Sequence, residues 1–152
     1  MSLFESSRSP WTGRMLSVLR IVVGLSFMLH GTQKLFAFPT AIPGLVFDPM
    51  TQLGVAGILE TFGGFAIVLG LCTRPIAFVL AGEMAVAYFT AHFPRSIYPV
   101  VNQGEPAVLY CFIYLYLMFA GAGPWSIDAM ISRAKPGDTT RDSARRQLDA
   151  AA

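Results

Sequence analysis

Residues 54–72 read GVAGILETFGGFAIVLGLC, an apolar run broken by one glutamate, one threonine and several glycines. A hydrocarbon core of ~30 Å needs ~20 predominantly apolar residues at the helical rise, and this stretch is close to that minimum. Three further runs, at residues 15–38, 75–92 and 106–122, have similar character; the first is long enough to tilt. The chain therefore reads as all-α, an integral membrane four-helix bundle. Residues 1–14 are expected to be a short N-terminal segment, 15–130 the membrane domain, and 131–152 a disordered tail.

Composition points the same way. The chain of 152 residues is 54% hydrophobic and 13% charged, whereas soluble domains carry about 25% charged residues. There is room for one small bundle and none for a separate soluble catalytic domain. Arg8, Arg14 and Arg20 precede or open the first run, Arg74 lies between the second and third, and Arg133, Lys135, Arg141, Arg145 and Arg146 follow the fourth. The other two connections carry only Lys34 and Arg95. Because Lys and Arg accumulate on the cytoplasmic side, both termini are expected to be cytoplasmic. Asp138, Asp142 and Asp149 interrupt the basic tail, which argues against a nucleic-acid partner. No small-residue cleavage site follows the first run, which reads as an uncleaved span.

Pro39, Pro43, Gly44 and Pro49 punctuate the first outer connection, whose Ile42, Leu45, Val46 and Phe47 suit an interfacial or bundle-capping loop. Thr73-Arg74-Pro75 makes a tight inner turn, and a short surface helix is expected from Asp128. Gly57, Gly63, Gly64 and Gly70 read as a close-packing side of the second span.

Function is expected where polar residues interrupt these runs. Ser26, His30 and Gln33 fall at i, i+4 and i+7, with Lys34 adjoining; Glu60 points into the glycine side of the second span. Glu83 and Thr90 share a face of the third, and Gln103, Ala107, Tyr110 and Tyr114 a face of the fourth. An ionisable group in hydrocarbon costs several kcal/mol unless paired, hydrated or neutral. Helical rise places most of these groups in the outer half of the bundle. The candidates for ligand binding or proton transfer are His30, Gln33, Lys34, Glu60, Glu83, His92, Asn102, Glu105 and Tyr110. His30, Lys34 and Glu60 are expected to meet, with Glu83 beneath them and Glu105 at the rim.

Bland alternatives stand beside this. Lys34 can snorkel to headgroups, His92 can be interfacial, and each glutamate can be a protonated packing residue. Two lone histidines are a weak basis for haem or another metal. Cys72 and Cys111 should lie ~20 Å apart along the membrane normal, well beyond the ~7 Å that a disulfide spans. No phosphate-binding, dinucleotide-binding or hydrolase motif is present.

Leu19-Arg20, Gly24, Phe27, His30-Gly31 and Lys34-Leu35-Phe36 form one set of residues that resembles a known first-helix pattern. Gly57-Ile58-Leu59-Glu60, Gly63-Gly64, Leu69-Gly70-Leu71 and Thr73-Arg74 follow it in order. Then come Glu83-Met84, His92-Phe93, Asn102-Gln103-Gly104-Glu105 and Gly123-Pro124-Trp125-Ser126-Ile127-Asp128. Together they resemble the DoxX family over residues 14–130. The resemblance implies a four-helix protein of the bacterial inner membrane. Some members are linked to quinone-dependent thiosulfate oxidation or to complexes that protect against oxidative and thiol stress. A quinone, and a partner redox protein or a homo-oligomer, are therefore expected. In that reading His30, Lys34 and Tyr110 donate to the ring while Glu60, Glu83 and His92 pass protons. The competing reading is a non-catalytic scaffold for such a complex, or a carrier of a small solute or protons.

Overall fold

The computed structural model describes residues 10–134, which are helical with no strand. The elements are α1 (Pro10–Phe36), α2 (Gln52–Leu69), α3 (Thr73–His92), a single turn α4 (Pro99–Asn102), α5 (Glu105–Ala120) and α6 (Ile127–Ala134). Three of them, Trp11–Phe36, Gln52–Leu69 and Thr73–His92, are long and apolar enough to cross a membrane. The fourth is shorter than the sequence reading anticipated: α5 has 16 residues, about 24 Å at the helical rise. It is cut off where Gly121 adopts a φ of 86°. The expected tail after residue 134 lies outside the described residues, whereas the short helix expected from Asp128 is α6.

The bundle is built from two antiparallel pairs, α1 on α2 and α3 on α5, which pack more extensively than α2 does on α3. Lipid supplies no hydrophobic drive for helix association, so close backbone approach has to supply packing energy. Glycine pairs at i and i+7 provide it here. A Cβ on Gly64 would sit 3.0 Å from the Met28 nitrogen, and one on Gly24 3.0 Å from the Gly64 oxygen. Gly31 faces Thr61 in the same way. The glycines of α2 are divided, however. Gly57 and Gly64 face α1, Gly63 faces Leu80 of α3, and Gly70 ends α2 at φ 65°, packed against Ser126 and the Arg20 guanidinium. Gly64→Val is expected to lower the unfolding midpoint in detergent by several degrees. Gly82→Ala, with open space around its Cβ position, should be neutral or stabilise by up to ~1 kcal/mol. Equal behaviour of the two variants would contradict the glycine account.

Phe27, Ile67, Leu80, Met84, Tyr114 and Leu117 form the centre of the bundle. Phe62, Phe65, Phe78, Phe112 and Phe119 point outward and are exposed. A helix apolar on all sides with an exposed aromatic face suits a lipid environment. The connection between α1 and α2 does not cap the bundle: Val46, Phe47 and Met50 are exposed.

Arg20, counted from sequence as a flanking surface charge, is instead fully buried. Its Nε donates to the Ala122 carbonyl (2.8 Å), Nη1 to the carbonyls of Ile67 and Val68, and Nη2 to that of Trp125. The last carbonyls of a helix have no partner within it; at the end of α2 the guanidinium fork satisfies that of Val68 and adds a second donor to that of Ile67, which also accepts from the Gly70 amide (3.0 Å). Asp128 completes the knot by accepting from the Cys72 and Thr73 amides (2.8 and 2.9 Å), the free donors at the start of α3. Ser17 also receives the Trp125 amide (3.2 Å). The segment from Gly121 to Asp128 is thereby tied to α1 and to the α2–α3 turn.

Candidate functional site

The opposite end of the bundle is open where this end is tied. A cavity of about 600 Å³ lies among the C-terminal ends of α1 and α3, the start of α2 and the start of α5. From α1 come Phe27, His30 and Lys34; from α2, Gln52, Ala56 and Glu60; from α3, Met84, Ala87 and His92; and from the following segment Arg95, Gln103, Ala107 and Tyr110. Its size is within the ~300–1,000 Å³ usual for small-molecule sites.

Lys34 and Glu60 form the centre of this wall. Lys34 Nζ lies 2.5 Å from both carboxylate oxygens. The side chains are 17% and 4% exposed, respectively. The stem of Lys34 lies against α2 because Gly57 has no side chain: a Cβ there would be 3.0 Å from Lys34 Cβ. A charge-assisted bidentate contact at low exposure is a strong one.

Two groups of the wall, Glu60 and His92, sit in wide helical turns. Glu60 lies in the π-helical turn Leu59–Gly63, and His92 in a second one, Tyr88–His92. Such turns shift the face of every later residue relative to a regular helix and recur at functional sites. His92 Nδ1 donates to the Asn102 carbonyl (3.0 Å). The ring stacks on Tyr88 at 22°. His30 is exposed and meets Tyr110 edge-on, with centroids 6.0 Å apart. Tyr110 in turn packs on Phe27 at 5.0 Å.

The remaining candidates fall elsewhere. Asn102 is buried, but its side chain is used by its own loop, donating to Ser96 O and accepting from Gly104 N, each at 2.7 Å. Glu105 was expected at the rim. It lies instead in a separate groove of about 360 Å³ between α1 and α5, with Val22, Ser26 and Tyr110. It opens α5, where its side chain turns to the outer side of that helix. Gln33 is half-buried and is not on the cavity wall. Glu83 lines a slot between α2 and α3. Its two carboxylate oxygens are buried without a hydrogen-bond partner, as is the Tyr114 hydroxyl in the bundle centre. Gln52, Arg95 and Gln103 were missed as candidates. Only their position at helix ends facing His92 and Lys34 could have singled them out. Among the described residues no group of three or more His, Cys, Asp or Glu is arranged to hold a metal ion, and both cysteines are free thiols.

A cation held by a carboxylate, two imidazoles, a guanidinium and a phenol therefore surround an otherwise apolar chamber. The arrangement offers hydrogen-bond donors on several sides of a flat ligand and protonatable groups beside it.

The DoxX family model matches residues 15–93, which include Lys34, Glu60 and His92. An uncharacterized protein of Haemophilus influenzae (strain ATCC 51907 / DSM 11121 / KW20 / Rd) is 45% identical over 119 residues, covering 74% of this chain and 87% of that protein. No solved structure matches. On the family match and this relative, the chain belongs to the DoxX family.

Proposed function

We propose that this protein is a redox-associated subunit of the bacterial inner membrane that binds a quinone, or a similar small ring, in the chamber around Lys34 and Glu60. The observation that carries this reading is the buried Lys34–Glu60 pair on the wall of a 600 Å³ apolar cavity. A structural ion pair needs no chamber beside it, and an apolar chamber needs no ion pair unless it binds something with polar edges. Lys34, His30 and Tyr110 supply donors to ring carbonyls, and Glu60 and His92 exchange protons with a ring that is reduced or oxidised. In this reading the electrons come from a partner redox protein. Calorimetric titration of the protein in nanodiscs with a benzoquinone should give a saturable site of unit stoichiometry. Partition of the quinone into protein-free nanodiscs to the same extent would remove the reading.

The orientation belongs to the same proposal. Four crossings, with α5 completed by its flanking turns, place the Arg20 knot at the cytoplasmic face and the chamber at the periplasmic one. Arg14, Arg74 and Arg133 lie at the knot end, against Lys34 and Arg95 at the other. A reporter fused after Ala152 should be active only in its cytoplasmic form. Periplasmic activity there would reverse the assignment of faces.

A further inference from the structure

The tied end of the bundle carries a cavity of its own. About 500 Å³ lie between the start of α3, the end of α5 and α6, bordered by Cys72, Arg74, Gly121, Asp128 and Ser132. Two of these residues carry opposite charges, yet they do not pair; among the described residues the ion pair is Lys34–Glu60. Each is held where it is by something else. Asp128 is anchored on the Cys72 and Thr73 amides, which use one lone-pair site on each carboxylate oxygen and leave others open. The Arg74 guanidinium lies over Gly121, its Nη2 3.5 Å from where a Cβ would stand. Arg74 is exposed and has no hydrogen-bond or ion-pair partner among the described residues. Arg20, the other cation near Asp128, gives its donors to backbone carbonyls. The cavity therefore presents a cation with unused donors and a carboxylate that can accept more hydrogen bonds. Beneath it the surface turns apolar. Phe78 follows Arg74 by one turn on the same face of α3, Phe119 stands in the last turn of α5, and they are 62% and 73% exposed. Trp125, also exposed, suits the headgroup level, where indoles partition.

We propose that this cavity is a phospholipid headgroup site, in which Arg74 binds the phosphodiester, Asp128 accepts from a primary ammonium such as that of ethanolamine, and the acyl chains run over Phe78 and Phe119. The guanidinium fork matches the geometry of phosphate oxygens. A free phosphate gains nothing from the two phenylalanines, and an alkyl chain alone gains nothing from the charges; a phospholipid uses both. Asp128 then sets the headgroup preference. Ethanolamine and choline heads carry the same net charge, but only the first has N–H groups to donate to a carboxylate. The lipid would bridge the start of α3, the end of α5 and α6, and so brace the Arg20 knot from outside. The site lies at the opposite end of the bundle from the chamber and does not depend on the ring-binding reading.

The test is native mass spectrometry of delipidated protein in detergent, offered equal amounts of phosphatidylethanolamine and phosphatidylcholine with identical acyl chains. Wild-type protein is expected to retain one phosphatidylethanolamine per chain, favoured over phosphatidylcholine by about fivefold or more, the worth of a partly exposed hydrogen bond to a charged group. Arg74→Gln should lower retention of both lipids by a similar factor. Arg133→Gln, which removes a charge of α6 outside the cavity, should leave it unchanged. Asp128→Asn should bring phosphatidylethanolamine down to the level of phosphatidylcholine. Equal retention of the two lipids by wild-type protein overturns the site, and this comparison decides even if a variant fails to fold. Equal losses in Arg74→Gln and Arg133→Gln overturn it too, since they would show attraction by surface charge alone. Displacement of the lipid by millimolar inorganic phosphate would make the occupant a free anion and overturn the lipid assignment.

Discussion

Arg20→Leu is expected to leave little folded protein, because one side chain donates to four carbonyls drawn from two distant parts of the chain. Leucine fills much of the volume and none of the hydrogen-bonding need. The Ile67 carbonyl keeps the Gly70 amide (3.0 Å), but those of Val68, Ala122 and Trp125 lose the guanidinium; each buried carbonyl left without a donor costs ~1–3 kcal/mol, so the combined loss is on the order of 3 kcal/mol or more. That is a large share of the stability of a marginal domain, ~5–15 kcal/mol. Arg20→Lys should recover less than half of the loss, since a single ammonium cannot reproduce the planar fork that spans Ala122, Trp125 and the end of α2. Asp128→Ala, which removes a helix cap, should cost only ~1 kcal/mol. Size-exclusion yield and the thermal unfolding midpoint in detergent measure all three. A folded Arg20→Leu protein with the wild-type midpoint would show that the buried guanidinium does not hold this end together.

The second large effect separates fold from function at the other end. Glu60→Gln leaves the Lys34 ammonium without its counter-charge in a site that is 17% exposed on the lysine side. Removing one partner of a fully buried pair costs ~3–5 kcal/mol. Lys34 lies on a cavity wall where water can reach it, so the expected loss is nearer ~1–2 kcal/mol. Ligand affinity should fall at least tenfold, or ~1.4 kcal/mol. Lys34→Met combined with Glu60→Gln then becomes informative. Replacing both charges of a buried pair is often neutral for stability, so the double variant should regain the wild-type unfolding midpoint while binding stays lost. Recovery of binding together with stability would mean that the pair only braces the helices.

Much of this arrangement was legible in the order of residues. The four apolar runs locate α1, α2, α3 and α5 to within a few residues. Gly57 and Gly64 announce a close approach, and Lys34 and Glu60 meet because one lies near the end of an outgoing helix and the other near the start of the returning one. Arg20 was misread because a charge one turn or so inside a span is ordinarily a flank. Only the three-dimensional return of residues 121–126 over the end of α2 gives its guanidinium acceptors. The two π-helical turns were not foreseen, although the residues in them were named as candidates. Each shifts the helical face in a way that a regular period cannot follow, and Glu60 and His92 lie within them. Glu83 lines the slot between α2 and α3, with both carboxylate oxygens buried. Asn102 was misjudged for a different reason. A polar side chain between a Pro-led turn and a glycine serves the loop's own backbone donors and acceptors before it can serve a ligand.

The central claim is that the chamber around Lys34 and Glu60 holds a ring-bearing membrane ligand, and it is tested most directly by what the protein carries with it. Wild-type and Glu60→Gln protein, extracted into native membrane discs without detergent exchange, can be analysed for bound small molecules by mass spectrometry. The account predicts a quinone near one per chain in the wild type and at least tenfold less in Glu60→Gln at equal folded yield. Wild-type protein carrying no more quinone per disc than empty membrane, or a variant that retains its full complement, would contradict it.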